Sequence, residues 1–181
     1  MHPCPDRPNR GTLAPAPEIV LRLLHESFDG PGWHGPAVRD ALRGVDHRIA
    51  QWRPAAGRHS IWELTLHLAA LRHRLRRRIR PEGVGRFPRK MAASWWPALP
   101  PVLDEAAWKH DVGVLETEHA AFIDLIAELT PKELGATLPS RRTAGDQLLG
   151  AALHDTYHAG QIVMLRRLAA SRRRQGARRI G

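Results

Sequence analysis

One run limits what this chain can fold into more than any other. Ile61, Leu64, Leu68, Leu71, Leu75 and Ile79 recur at helical spacing, which keeps one face of an α-helix turned toward a core. Ser60-Ile61-Trp62-Glu63 opens the run as a capping box. There the Ser hydroxyl and the Glu carboxylate take up amide hydrogens that the first turn leaves without partners. Three further runs carry the same period. The first is Ile19, Val20, Leu23, Leu24 and Phe28, which Asp29-Gly30-Pro31-Gly32 stops. The second follows an Asp104 N-cap through Trp108, Val112, Leu115, Phe122, Leu125, Ile126 and Leu129. The third begins at the capping-box-like Thr143-Ala144-Gly145-Asp146 and continues through Leu148, Leu149, Ala152, Ile162, Leu165 and Leu168. No stretch alternates as a half-buried strand would, and nothing repeats. Four long helices in 181 residues predict an all-α bundle with one core.

The boundaries follow from composition. Pro3, Pro5, Pro8 and Pro15 mark residues 1–16 as an unstructured lead, residues 17–170 form the bundle, and 171–181 form a basic tail. A turn at Trp33-His34-Gly35-Pro36 leads into a short helical stretch, Ala37 to Leu42. Residues 81–103 are rich in Pro and Gly. Loops of that length are functional or serve as covers, and Trp95-Trp96 within it either caps the core or walls a pocket. Pro131 to Arg142 reads as a plain connection.

No run has the length of a membrane-spanning helix, and the N-terminal residues lack the apolar core of a secretory signal. One Cys, Cys4, rules out an internal disulfide and suits a reducing compartment, so a cytoplasmic location is expected. The net charge of +10 rests on 25 Arg against 3 Lys, concentrated at Arg72–Arg80 and Arg166–Arg179 near helix ends. Cations there suit the helix dipole and the solvent. No zinc-finger spacing, RNP motif or phosphate-binding loop accompanies them, so no sequence-specific nucleic-acid partner is expected.

The histidines carry the chemistry. His154 and His158 lie one turn apart on the last helix, with Cβ atoms about 5–6 Å apart. Two imidazoles so placed take adjacent corners of one divalent ion, or form a half-buried hydrogen-bonded pair. His67 falls on the apolar stripe of the second long helix, where a polar side chain needs a hydrogen-bond partner or a metal. Alone it reads as a satisfied core histidine; beside the pair it is the natural third ligand. Three neutral imidazoles leave coordination positions open, the catalytic rather than the structural arrangement. Zinc or nickel lead the candidates, with iron, manganese or copper behind them. Gln161, three residues after His158, faces the same way and is the candidate catalytic residue. Around these, Asp155 is placed to orient a ligand from a neighbouring element, Tyr157 to pack, and Glu63 to cap. His73 reads as solvated among arginines, His34 as an exposed loop residue, and Gly160 as a close approach between helices or a packing gap. Cys4, in the lead, has no expected role as a nucleophile.

Read in order, Trp33-His34-Gly35-Pro36, the segment from His59-Ser60-Ile61-Trp62-Glu63-Leu64 to His67, Ser94-Trp95-Trp96-Pro97 and His154-Asp155-Thr156-Tyr157-His158-Ala159-Gly160-Gln161-Ile162 resemble the DinB/YfiT-like superfamily of metal-dependent bundles. The resemblance implies an up-down-down-up four-helix bundle, a divalent metal on His67, His154 and His158, and a homodimer. Characterised relatives include thiol S-transferases and isomerases, so it also implies a small-molecule substrate and a low-molecular-weight thiol as a second cofactor. The expected activity is that of a metal-dependent transferase or hydrolase. The alternatives are a non-enzymatic metal-binding bundle and, behind it, a basic nucleic-acid-binding protein.

Overall fold

The computed structural model describes residues 15–33, 35–91 and 95–177; Cys4, His34 and Ser94 lie outside these. The described residues are mostly helical and contain no strand, only isolated bridges such as Met91 with Pro97. The helices are α1 (Pro17–Phe28), α2 (Val38–Leu42), α3 (His47–Ala50), α4 (Ile61–Ile79), α5 (Glu105–Ala127), α6 (Pro131–Gly135) and α7 (Ala144–Ala177). The four expected long helices are α1, α4, α5 and α7. The one-turn helices α3 and α6 were not expected. Each begins with a side-chain cap: Asp46 accepts from the Ile49 amide, and Thr130 with Glu133 forms a capping box. Those caps sit in segments too short to show a period. Helix α7 runs into the basic tail as far as Ala177.

The start signals act as their chemistry dictates. Pro17 sits at the first helical position of α1, where its missing N–H costs nothing. Ser60 and Glu63 exchange their bonds at the head of α4, Asp104 accepts from the Ala107 amide at 2.8 Å, and Thr143 pairs with Asp146. Gly145 is needed for its size, since a Cβ there would stand 2.6 Å from Pro15 Cδ. Gly160, by contrast, faces open space, so it mediates no close helix approach.

Cross-helix contacts give the order of the elements. Along α4 and α5 they advance together: Trp62 with Asp111, Arg72 with His119, Arg80 with Glu128. Along α4 and α7 the ends of the series run in opposite order: His67 meets His154, whereas Arg78, further along α4, meets the earlier Gln147. Helix α1 meets α7 through Ser27 and Asp155, and α5 through Phe28 and His119.

The core is divided along its length. One apolar cluster gathers Phe28, Trp62, Leu66, Trp108, Leu115 and Ile162; the other gathers Val20, Leu24, Leu75, Phe122, Ile126 and Leu148. Between them, each long helix contributes a polar residue to one buried layer: Ser27, Arg72, His119 and Asp155. Arg72 Nη2 donates to Asp155 Oδ2 at 2.6 Å, Ser27 Oγ donates to the same oxygen at 3.3 Å, and Arg72 Nε donates to His119 Nδ1 at 3.2 Å. His119 stacks on Phe28 with ring centroids 3.6 Å apart. A buried charge is tolerated only when paired and hydrogen-bonded in this way. The expectation that Asp155 orients a ligand is therefore corrected, because its carboxylate serves Arg72. His73 is corrected too. It is buried, with Nδ1 3.0 Å from Glu118, which also takes Arg76. Helix α5 lies against that side of α4 and shuts out the solvent.

Candidate metal centre

Helix α4 brings His67 to face His154 and His158 of α7, and the three Nε2 atoms converge. His154 Nε2 lies 3.1 Å from His67 Nε2 and 3.0 Å from His158 Nε2. Nitrogens sharing one tetrahedral ion at about 2.0–2.1 Å would be about 3.3 Å apart. One ligand atom from each residue lies within 4.8 Å of the others, a cluster compatible with a divalent metal.

The outer nitrogens fix the tautomers. His67 Nδ1 is 3.0 Å from the backbone oxygen of Trp95, which can only accept, so the ring proton sits on Nδ1 and Nε2 keeps its lone pair. His158 Nδ1 is 2.6 Å from Gln161 Oε1, while Gln161 Nε2 donates to Tyr157 Oη at 3.0 Å. His158 Nε2 is thereby also a free lone pair. His154 could donate a proton to only one of these two, and its Nδ1 is buried without a hydrogen-bond partner among the described residues. Protein groups among the described residues leave this set of nitrogens short of a donor; a cation among them would supply what is missing. On donor set, tautomer and spacing, the residues fit a divalent ion.

All three imidazoles resist protonation. Burial, and then the neighbouring His158, His67 and Arg72, hold His154 down to about 3. Burial depresses His158 to about 4 against the opposing pull of the hydrogen bond it donates to Gln161 Oε1. Burial lowers His67 as well, with the Trp95 carbonyl pulling the other way. The neutral form is the one that ligates a metal.

The long loop before α5 supplies the wall. Trp96 stacks on His67 with centroids 4.3 Å apart and on His59 at 3.5 Å. Trp95 turns its carbonyl inward and its ring outward. Of the two readings of the Trp pair, the pocket wall describes Trp96. Beside it opens a cleft of about 630 Å³, lined by Leu64, Trp96, Tyr157, His158, Gln161 and Met164 among others. Its size and apolar lining are those of a small-molecule site. Glu63 does not approach the histidines; it caps α4 and pairs with Arg53 at 2.8 Å. Tyr157 is exposed rather than packed. Sequence reasoning did not single out Arg72, although its position four after Leu68 and three before Leu75 puts it on the buried stripe. An Arg there signals a buried counter-ion, which Asp155 proves to be. His59 was missed for want of any spacing to the other histidines.

No curated protein and no solved structure matches the chain. The family model of the DinB superfamily matches residues 33–162, a span that takes in the three converging histidines, the Trp wall and most of the cleft lining. The chain belongs to the DinB superfamily.

Proposed function

We propose that this protein is a divalent-metal-dependent enzyme of the transferase or hydrolase type, acting on a small electrophile in the cleft beside His158. The observation that carries the reading is the convergence of three Nε2 atoms, with His67 and His158 locked by their Nδ1 hydrogen bonds into the tautomer that presents a lone pair. His67, His154 and His158 would hold the ion, zinc or nickel first and iron, manganese or copper next. Such an ion lowers the pKa of a thiol or water, or polarises a substrate oxygen.

The chain's own residues do the rest. Trp95 O and Gln161 Oε1 orient two of the imidazoles, and Trp96 keeps water from one face of His67. Gln161, the proposed catalytic residue, reaches the cleft wall with its amide and would position the reacting molecule. Leu64, Trp96 and Met164 suit an apolar body, and a low-molecular-weight thiol is the proposed co-substrate. Around this site we read an up-down-down-up four-helix bundle, supported by the order of the cross-helix contacts. We also read a cytoplasmic homodimer, and exposed Leu153 and Leu168 on α7, outside the cleft, offer it an apolar face. No described helix is long and apolar enough to cross a membrane.

The test is to measure bound metal by elemental analysis, then assay the loaded protein with low-molecular-weight thiols and model electrophiles, and separately with amides and esters. Turnover that disappears in a folded His154→Ala variant supports the enzyme. Metal binding without turnover across the panel leaves a metal-binding bundle in its place, and metal retained by the triple His→Ala variant removes the site altogether.

A further inference from the structure

A second concave site lies on the other side of Trp95. The last turns of α4 present Arg74, Arg77 and Arg78; the loop that follows returns Arg86 and Lys90 opposite them, and the groove between measures about 630 Å³. Among the described residues no carboxylate lines it. Arg89, at its edge, is neutralised by buried Asp111 at 2.9 Å. Among the described residues Arg78 bonds the amide oxygen of Gln147, and with Arg74 it lies over the Trp95 ring, at 5.6 and 4.2 Å from the centroid. Arg77, Arg86 and Lys90 have no ion-pair partner among the described residues.

The helix dipole explains cations in the last turn of α4, but not Arg86 and Lys90, which come from the loop across the groove. Burial and the nearby Arg78 both depress Arg74, as expected where like charges are held together without an anion. Guanidinium forks lining a groove without a carboxylate among the described residues suit the paired oxygens of a phosphoryl group. Phe87 and Met91 add an apolar wall to the same groove. A continuous nucleic-acid track is disfavoured, because the other basic concentration is at the opposite end. Arg78 lies beside Gln147 near the start of α7, whereas Arg166 bonds the Arg43 carbonyl further along it.

We propose that this groove binds the phosphoryl or diphosphoryl group of a small phosphate ester, with Phe87 and Met91 against the body it carries. The site is separate from the histidine cleft and does not depend on the proposed reaction. Trp95 links it to the histidines: its ring lies under Arg74 and Arg78 while its carbonyl accepts from His67.

The test is calorimetric titration with inorganic pyrophosphate, and in parallel with adenosine 5′-monophosphate, at about 150 mM salt, where loose surface attraction is screened. The unmodified chain and His154→Ala are titrated side by side, so that pyrophosphate bound at the histidines is told apart from pyrophosphate in the groove. Saturable one-site binding is expected in both, weakened at least about tenfold in Arg77→Ala/Arg86→Ala, whose two side chains are exposed. Tryptophan fluorescence should change on binding, and the change should vanish in Trp95→Phe. The proposal is overturned by absence of saturable binding, by equal affinity in the double variant, or by loss of binding in His154→Ala. Displacement of pyrophosphate by RNA oligomers whose affinity climbs with length would overturn it in favour of a polymer site.

Discussion

Two polar clusters lie side by side and share helices α4 and α7, and they differ in kind. In the layer of Ser27, Arg72, His119 and Asp155, donors meet acceptors and opposite charges meet. In the cluster of His67, His154 and His158, like meets like, as three ring nitrogens face one point. The first is close to complete in protein atoms and separates two apolar clusters. The second is complete only with something that is not protein. Burial and polarity are common to both, so neither property marks a functional site. The distinguishing mark is whether the groups satisfy one another.

The largest expected effect should come from breaking the closed layer. Arg72→Ala leaves the Asp155 carboxylate buried without its counter-ion, and should cost about 3–5 kcal/mol in denaturant unfolding. Replacing both partners together, Arg72→Met with Asp155→Leu, should recover most of that loss. If the double variant is no more stable than the single, the layer is more than an ion pair.

The open cluster should respond the other way. His154→Ala should lower metal affinity by more than about 100-fold, read by competition with a chromogenic chelator. The same change should leave the metal-free chain nearly as stable as before, since it removes one member of an unsatisfied set. A metal-free His154→Ala protein as unstable as Arg72→Ala would erase the distinction between the clusters.

A smaller effect belongs to Gln161. Gln161→Leu frees the His158 ring from its Nδ1 partner and should weaken metal binding about tenfold, with Gln161→Glu restoring it. An unchanged affinity in the Leu variant would show that packing alone holds the ring.

The smallest effect is a change of slope with pH. His119 is held down to about 3 by burial and by Arg72, Arg39 and His25, below its ordinary value of 6.5. The unfolded chain therefore takes up a proton that the folded chain refuses. Stability is retained above about pH 6.5 and falls as pH drops from there toward about 3. In His119→Gln the proton uptake on unfolding at about pH 5 should decrease by one, and added metal should not alter that decrease. A decrease that depends on metal would place His119 in the open cluster.

Much of this was legible beforehand because it rests on short-range rules. The stripe from Ile61 to Ile79, the Ser60 box and the Asp104 cap specify helices through neighbours a turn away, and those helices formed. The pairing of His154 with His158 is equally local. His67 could be joined to them because a histidine on an apolar stripe needs a partner. The failures were matters of tertiary contact. Asp155 and His73 were assigned without knowing which helix would lie against them, and Arg72 was counted with the surface arginines although its register was that of the core. Trp96 was known to lie in a long loop, but where that loop would return was not. Helices α3 and α6 lacked the length for a period to show.

The buried polar layer also has a consequence for the order in which the molecule can assemble. Asp155 meets Arg72 across 83 residues and Ser27 across 128, and His154 meets His67 across 87. Contacts that distant are slow to form, because long loops must close before any of them contributes. As the chain emerges from the ribosome, α1, α4 and α5 appear first, carrying Ser27, Arg72 and His67, whose partners on α7 have not yet been made. Only α7 supplies Asp155, His154 and His158. A nascent chain halted before α7 should thus remain loosely collapsed with apolar surface exposed, a species for chaperones to hold. The moment α7 docks is when both polar clusters come into being.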